Sequence, residues 1–365
     1  MRIGTPSRVS SNQLSKRSLT GEPSRWTSSS IACSVRTVGS SGSLMVVRSQ
    51  PAGEPPSSTR CQVVPARARP TWLAQVSKSR HRHRRACRIR RSLPPSRAYA
   101  GGVIDTHCHL TFKDFRDRVG ETLGAASRRG VTGAITISTT TRDCLEALEI
   151  ARAHERVWCS SGVHPLHSHE GPHVWENLRT VAKAPECVAW GELGLDLHYD
   201  GPHRAVQDAV LAEQLAFIES CARSDDALDL PIVIHCREAF EELLPVLRGA
   251  PFRGDRYVFH CFTGSAAEVR KVLDFGAFVS FTGVVTYKNA QEVAAAARLV
   301  PSDRIMVETD APFLSPEPNR GKRPCVPAYS RDTAEFLAKA RGVPWATFHE
   351  QINANTRAFF GIEAV

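Results

Sequence analysis

Long apolar runs are missing from this 365-residue chain. None approaches the ~20 residues a helix needs to cross a bilayer, which argues against membrane-spanning helices. Paired cysteines are missing too. The 11 cysteines are odd in number and no two form a Cys-x-x-Cys pair. No disulfide framework is indicated, and the thiols read as reduced in an intracellular protein. Acid is scarce in one place. Residues 1–100 hold 19 of the 47 Lys and Arg but only two of the 37 Asp and Glu, Glu22 and Glu54. Residues 101–365 are left with 28 basic and 35 acidic side chains, a net of −7. The overall charge of +10 therefore gives no argument that the larger part binds nucleic acid. Aromatics are few at 7%, and no base-reading motif is visible, so any nucleic acid would be handled with little sequence specificity.

The chain divides into two textures. Residues 1–100 are rich in Ser, Arg and Pro and have little periodicity. Such a segment buries too little apolar surface to offset its ordering entropy, so a disordered basic extension is expected. Arg-rich, Ser-rich and acid-poor is also the composition of a chloroplast or mitochondrial transit peptide. The stretch SRHRHRRACRIRRS (79–92) alternatively suits a nucleic-acid or nuclear-import patch. A plain tail of a cytoplasmic protein, or a wrongly chosen start codon, is the remaining reading.

From Val103 onward eight short apolar runs alternate with helical patterns. The runs are 103–110, 133–138, 157–165, 187–196, 231–236, 256–262, 277–283 and 304–312. Helix-like stretches include 143–155, 205–224, 239–249 and 265–276. Nearly continuous apolar strands are those buried on both faces. Eight β-α repeats within 265 residues predict a (β/α)8 TIM barrel over 101–365, for which about 250 residues is typical. An open doubly wound sheet is the alternative.

Six of the eight runs end in a residue that can ligate metal. The first, VIDTHCHL, carries His107 and His109. The third ends at His164, the fourth carries Glu192, the fifth His235, the sixth His260 and the eighth Asp310. In a barrel all strand C-termini open on one face, where active sites are built. Side chains alternate along a strand, so His107 and His109 share a face and Cys108 points away. Asp105 shares the histidine face and is a candidate orienter of an imidazole. Cys236 and Cys261, each directly after a candidate ligand, should also point away from the site. Imidazoles with carboxylates suit Zn2+, Mn2+ or Fe2+, and Mg2+ with added water. So many ligands exceed the need of one ion. Two divalent ions sharing a carboxylate is the economical reading, and such a pair activates water for hydrolysis.

The motifs IDTHCHL (104–110), GVHP (162–165), GELGLD (191–196), LPIVIHCREA (230–239), HCFTG (260–264), ETDAPFLSP (308–316) and RGKR (320–323) resemble, in order, those of the TatD family of metal-dependent deoxyribonucleases, within the amidohydrolase-like superfamily. The resemblance covers residues 103–360. It implies that His107 and His109 serve one metal site, that Glu192 bridges, and that His235 and His260 serve a second. It further implies that Asp310 binds metal and orients the attacking water, and that His164 faces the substrate phosphate. Departures are RGKRPCVPAY where the family has RGKRNEP, and Leu211 where the family has Phe four residues after Gln207.

The expected function is metal-dependent hydrolysis of phosphodiesters by a two-metal-activated water, as a 3′–5′ exonuclease on DNA, with RNA a further substrate. Asp310, Glu192 and His164 are the catalytic candidates. Two divalent ions (Mg2+, Mn2+ or Zn2+) are the expected cofactors. Arg320, Lys322 and Arg323, with Arg237 beside His235, are candidate phosphate contacts, because Arg forks onto phosphate and Lys offers a point charge. Tyr287 is a candidate stacking surface for a base. Amide, ester or D-aminoacyl-tRNA hydrolysis in the same barrel is the rival, and the bridging Glu192 favours the nuclease reading. A monomer without membrane association is expected.

Overall fold

The computed structural model of the protein describes residues 102–224 and 227–363. The expectations for residues 1–100 lie outside the described residues. Eight parallel strands follow one another in chain order around a single sheet. They are β1 (Val103–Cys108), β2 (Val131–Thr136), β3 (Val157–Ser161), β4 (Cys187–Asp196), β5 (Ile232–Arg237), β6 (Tyr257–Phe259), β7 (Phe278–Phe281) and β8 (Ile305–Val307). The helices between them are α1 (Val119–Arg128), α2 (Asp143–Ala153), α3 (Trp175–Ala182), α4 (Arg204–Arg223), α5 (Phe240–Gly249), α6 (Ala266–Phe275) and α7 (Gln291–Leu299), and α8 (Ser330–Ala340) and α9 (Trp345–Phe360) follow β8. The expected TIM barrel is therefore present. Closure between β8 and β1 is made just beyond β8. The His109 N–H donates to Ala311 O (2.7 Å), and the Asp310 N–H to His107 O (2.9 Å).

Two apolar layers follow from strand alternation. Ile232 and Ile234, Tyr257 and Phe259, Val279 and Phe281, and Ile305 and Val307 face outward into the larger core beneath the helices. Val233, Val258, Phe278 and Met306 face inward and form a smaller cluster inside the barrel. Phe359, Phe360 and Ile362, from the end of α9 and the residues after it, join that inner cluster. Phe359 lies 4.8 Å from the ring of Phe278, the first residue of β7, so these side chains close the N-terminal end of the barrel. The opposite end is left for chemistry. Stepping by two from the inner apolar residues leads from Val233 to His235, from Val258 to His260, and from Met306 to Glu308 and Asp310. No helix among the described residues is long and apolar enough to cross a membrane.

Candidate active site

Each strand delivers its site residue by the same alternation. His107 and Asp105 lie fully buried inside the barrel mouth, whereas Cys108 is buried in the outer core as expected. β4, at ten residues, carries Glu192 (1% exposed) deep into the mouth. Gly194, two residues on, has φ +147°, and a Cβ there would stand 1.9 Å from His235 O. A glycine is required for β4 and β5 to approach this closely, and that approach brings Glu192 against His235.

Glu192 divides the site between its two oxygens. Oε2 faces β1, 3.3 Å from His107 Nε2 and 4.0 Å from His109 Nε2. Oε1 faces the other side, 2.6 Å from His260 Nε2 and 2.7 Å from His235 Nδ1. Asp310 Oδ1 completes the first group at 3.3 Å from His109 Nε2 and 3.7 Å from His107 Nε2. A carboxylate shared between two histidine groups is the arrangement that bridges two cations.

The far nitrogens fix which atoms face Glu192. His109 Nδ1 lies 3.1 Å from Ile137 O, His235 Nε2 3.0 Å from Asp196 Oδ2, and His260 Nδ1 3.3 Å from Glu308 Oε1. The first two oxygens accept, so the outer nitrogens of His109 and His235 carry the protons and their inner nitrogens present lone pairs to Asp310 and Glu192. His260 Nδ1 stands within ion-pair distance of Glu308 but makes no hydrogen bond, and both ring nitrogens of His107 and Glu192 Oε2 are likewise buried without one. Such a set demands positive charge. Burial alone would push His260 down and Glu192 up. Their mutual attraction, with Glu308 adding to it, outweighs burial and holds His260 well above the usual imidazole range and Glu192 well below the usual carboxylate range. Divalent cations satisfy the same demand without protons, and the mixed imidazole–carboxylate donors fit Zn2+, Mn2+ or water-bearing Mg2+. Among the described residues, three groups bring donor atoms close enough to hold a metal: His107–His109–Glu192, His164–Glu192–His235 and His107–His260–Glu308.

His164 differs from the other histidines. Its Nδ1 accepts from the Leu166 N–H at 3.0 Å, capping the short turn Pro165–His167. The proton of the neutral ring must then sit on Nε2, which lies 3.1 Å from His235 Nδ1 and 3.4 Å from Glu192 Oε1. Burial is the largest cause that pushes its pKa down to about 4, so it is neutral near pH 7. A neutral ring with Nε2–H is a hydrogen-bond donor, not a lone-pair ligand.

Asp105 does not orient an imidazole. Its Oδ1 accepts from the Thr309 N–H (2.9 Å), and its Oδ2 lies 2.6 Å from Thr309 Oγ1. It therefore pins the residue between Glu308 and Asp310. Burial outweighs those bonds and pushes its pKa up to about 8. Asp310 itself sits at φ +58°, a left-handed conformation that costs a non-glycine residue energy and turns its carboxylate back to His109. The carboxylate that orients an imidazole is instead Asp196, while Glu308 accepts from the Cys261 N–H and stands 3.3 Å from His260 Nδ1 as a charge partner. Both lie inside motifs quoted above, and Glu308 has the inward parity of Asp310. That parity was the available signal.

A cleft of about 830 Å3 opens above these groups, lined among others by His164, Tyr199, Arg237, Phe313 and Arg323. Arg237 lies over the Tyr199 ring (5.0 Å), and Arg323 over Phe313 (5.4 Å). Arg320 and Lys322 share the loop with Arg323 but do not line the cleft. Arg320 covers the face of Tyr287 (4.1 Å), and the Tyr287 hydroxyl donates to Ser315 O (3.0 Å), so that ring is already occupied. Cys236 is buried in the outer core but also borders the cleft. Cys261 does not turn away at all: β6 ends at Phe259, and at φ +43° Cys261 lines the cleft half-buried.

Comparison with known proteins agrees with this geometry. Residues 104–361 match the family model described as TatD related DNase. The chain is 35% identical over 265 residues to "Uncharacterized metal-dependent hydrolase YcfH" of Escherichia coli (strain K12), covering 72% of this chain and 97% of that protein. It is 32% identical over 269 residues to "3'-5' ssDNA/RNA exonuclease TatD" of Klebsiella pneumoniae (strain 342), covering 72% and 98%. Among solved structures, the TatD homolog YJJV of Escherichia coli k12 superposes with a TM-score of 0.64 at 26% identity, over 72% of this chain and 98% of that one.

Proposed function

Since this chain belongs to the family of TatD-related DNases and is a metal-dependent hydrolase, we propose that it removes nucleotides from the 3′ end of single-stranded DNA or RNA. The observation that carries this reading is Glu192, with one oxygen turned to each of two buried histidine groups. His107, His109, Glu192 and Asp310 would hold one divalent ion, and Glu192, His235 and His260 the other. Bound there, the ions supply Lewis acidity, which makes water nucleophilic at neutral pH and stabilises charge on phosphoryl oxygens.

The protein's own groups do the rest. Asp310, held by the turn at the end of β8, accepts the proton of the attacking water and aims it in line with the leaving oxygen. His164 donates its Nε2–H to a phosphoryl oxygen and, being neutral, adds no charge beside the cations. Arg237 and Arg323 fork onto flanking phosphates, their planes supported by Tyr199 and Phe313. Support for the nucleic-acid substrate comes from the name of the Klebsiella relative and from the two arginines, Arg237 and Arg323, that line the cleft.

The test sets wild-type protein beside Asp310→Asn on single-stranded DNA, D-aminoacyl-tRNA and a simple ester. The proposal expects DNA to be cleaved and the variant to lose activity by about 10²–10⁴-fold. Turnover of the ester or the aminoacyl-tRNA with DNA left intact would contradict it.

A further inference from the structure

The cation position on the Oε1 side of Glu192 rests on contacts that lead away to helix α4. We propose that Gln207 is a positioning residue for that cation, acting through Asp196 on His235; this rests on the two-cation reading above. A His235 ring free to pivot would present Nδ1 only part of the time. What stops the pivot is the bond from Nε2 to Asp196 Oδ2 (3.0 Å). Asp196 is the last residue of β4, still paired on one side with Arg237 of β5, whereas β3 on the other side has already ended at Ser161. There Gln207 takes over. Its Oε1 accepts from the Asp196 N–H (2.8 Å), and its Nε2 donates to Asp196 O (2.8 Å) and Pro202 O (2.9 Å). Both edges of one residue's backbone are gripped by one planar amide, which sets its place and its rotation together. The third bond ties down the loop that returns to α4. Gln207 is 2% exposed, so its amide is satisfied only while the clamp holds.

The same helix supplies its own control. Gln214, two turns on and also 2% exposed, makes the matching clamp on Val163, accepting from its N–H (2.8 Å) and donating to its O (2.9 Å). Val163 precedes His164, whose Nδ1 accepts from the Leu166 N–H and which the proposed function makes a phosphate contact and not a ligand. Two clamps of like burial leave one helix, and one of them leads to a ligand nitrogen. A purely structural role would make both equivalent.

The experiment is titration of metal-free full-length protein with Co2+, followed by calorimetry and by the visible ligand-field spectrum. Wild type is expected to take two ions. Gln207→Met should weaken one of them by about tenfold and alter its spectrum. Gln214→Met should titrate as wild type even where it lowers the melting temperature equally. Identical titrations for Gln207→Met and Gln214→Met overturn the inference alone. A wild-type protein that takes fewer than two ions overturns the two-cation reading and this inference with it. If Gln207→Met does not fold, Gln207→Glu keeps the acceptor for the Asp196 N–H, loses both donated bonds, and carries the same prediction.

Discussion

At the scale of single residues, the site is a contest between burial and charge. Glu192 is 1% exposed, and against the push of burial the surrounding imidazoles, His260 foremost, keep it ionised. Asp105 is equally buried but faces no cation, and it is pushed toward the protonated form. That difference predicts opposite responses to mutation. Asp105→Asn preserves an acceptor for the Thr309 N–H and offers a donor to its hydroxyl, so thermal denaturation should show little change. Asp105→Ala leaves both Thr309 groups unpaired and should cost about 1–3 kcal/mol in urea unfolding. Equal loss in the two variants would contradict the pairing. On the proposed function Arg323 grips phosphate and takes no part in the chemistry, so Arg323→Ala should raise KM for oligonucleotides while kcat changes little. The histidines are legible in the sequence because they stand at or near the ends of apolar runs, and Glu192 because it interrupts one. Asp196 and Glu308 stand in the same motifs, but their role is set by which imidazole nitrogen they face, and no spacing in one sequence states that. Asp105 is legible as inward-facing, yet its partner Thr309 lies some 200 residues away on the far side of the closure, which alternation cannot reveal.

At the scale of elements, helices were easier to read than strand ends. The helical patterns at 143–155, 205–224, 239–249 and 265–276 fall on α2, α4, α5 and α6 within a residue or two. The apolar runs overshoot their strands: 304–312 contains β8 only as Ile305–Val307. The surplus residues leave the sheet to build the site, and that is why Cys261 escapes the alternation. Caps behave as local chemistry predicts. Ser265 and Glu268 form a reciprocal capping box at α6, so Ser265→Ala should cost about 1 kcal/mol, measurable by chemical denaturation. Gly194→Ala should be far worse for function than its size suggests. The methyl group would meet His235 O, pushing β5 from β4 and His235 from Glu192. Metal content measured after dialysis should fall by one ion. Retention of both would show that the close approach of the strands is not what sets the ligand.

At the scale of the whole molecule, one architectural rule separates stability from chemistry. The inward faces are apolar at the α9 end, where Phe359 and Phe360 close the barrel, and ligand-bearing at the other. The eight-fold alternation of runs made the barrel readable, and strand polarity then gathered residues from 107 to 310 onto one rim. Charge is distributed just as unevenly, with residues 1–100 carrying the basic excess and residues 101–365 a net of −7. A chain of residues 101–365 alone should keep its metal-dependent activity. Its DNA binding should also depend less steeply on salt than that of the full chain, because fewer phosphates are neutralised. The central claim is that two ions held across Glu192 drive hydrolysis at a nucleic-acid 3′ end. Its most direct test is to strip the protein of metal, restore Mg2+ or Mn2+, and follow single-stranded DNA labelled at either end. The account predicts no cleavage without metal, two ions per chain at full activity, immediate release of mononucleotide from a 3′ label and gradual shortening of a 5′-labelled strand. Undiminished cleavage by the metal-free protein, or immediate release from the 5′ label, would contradict it.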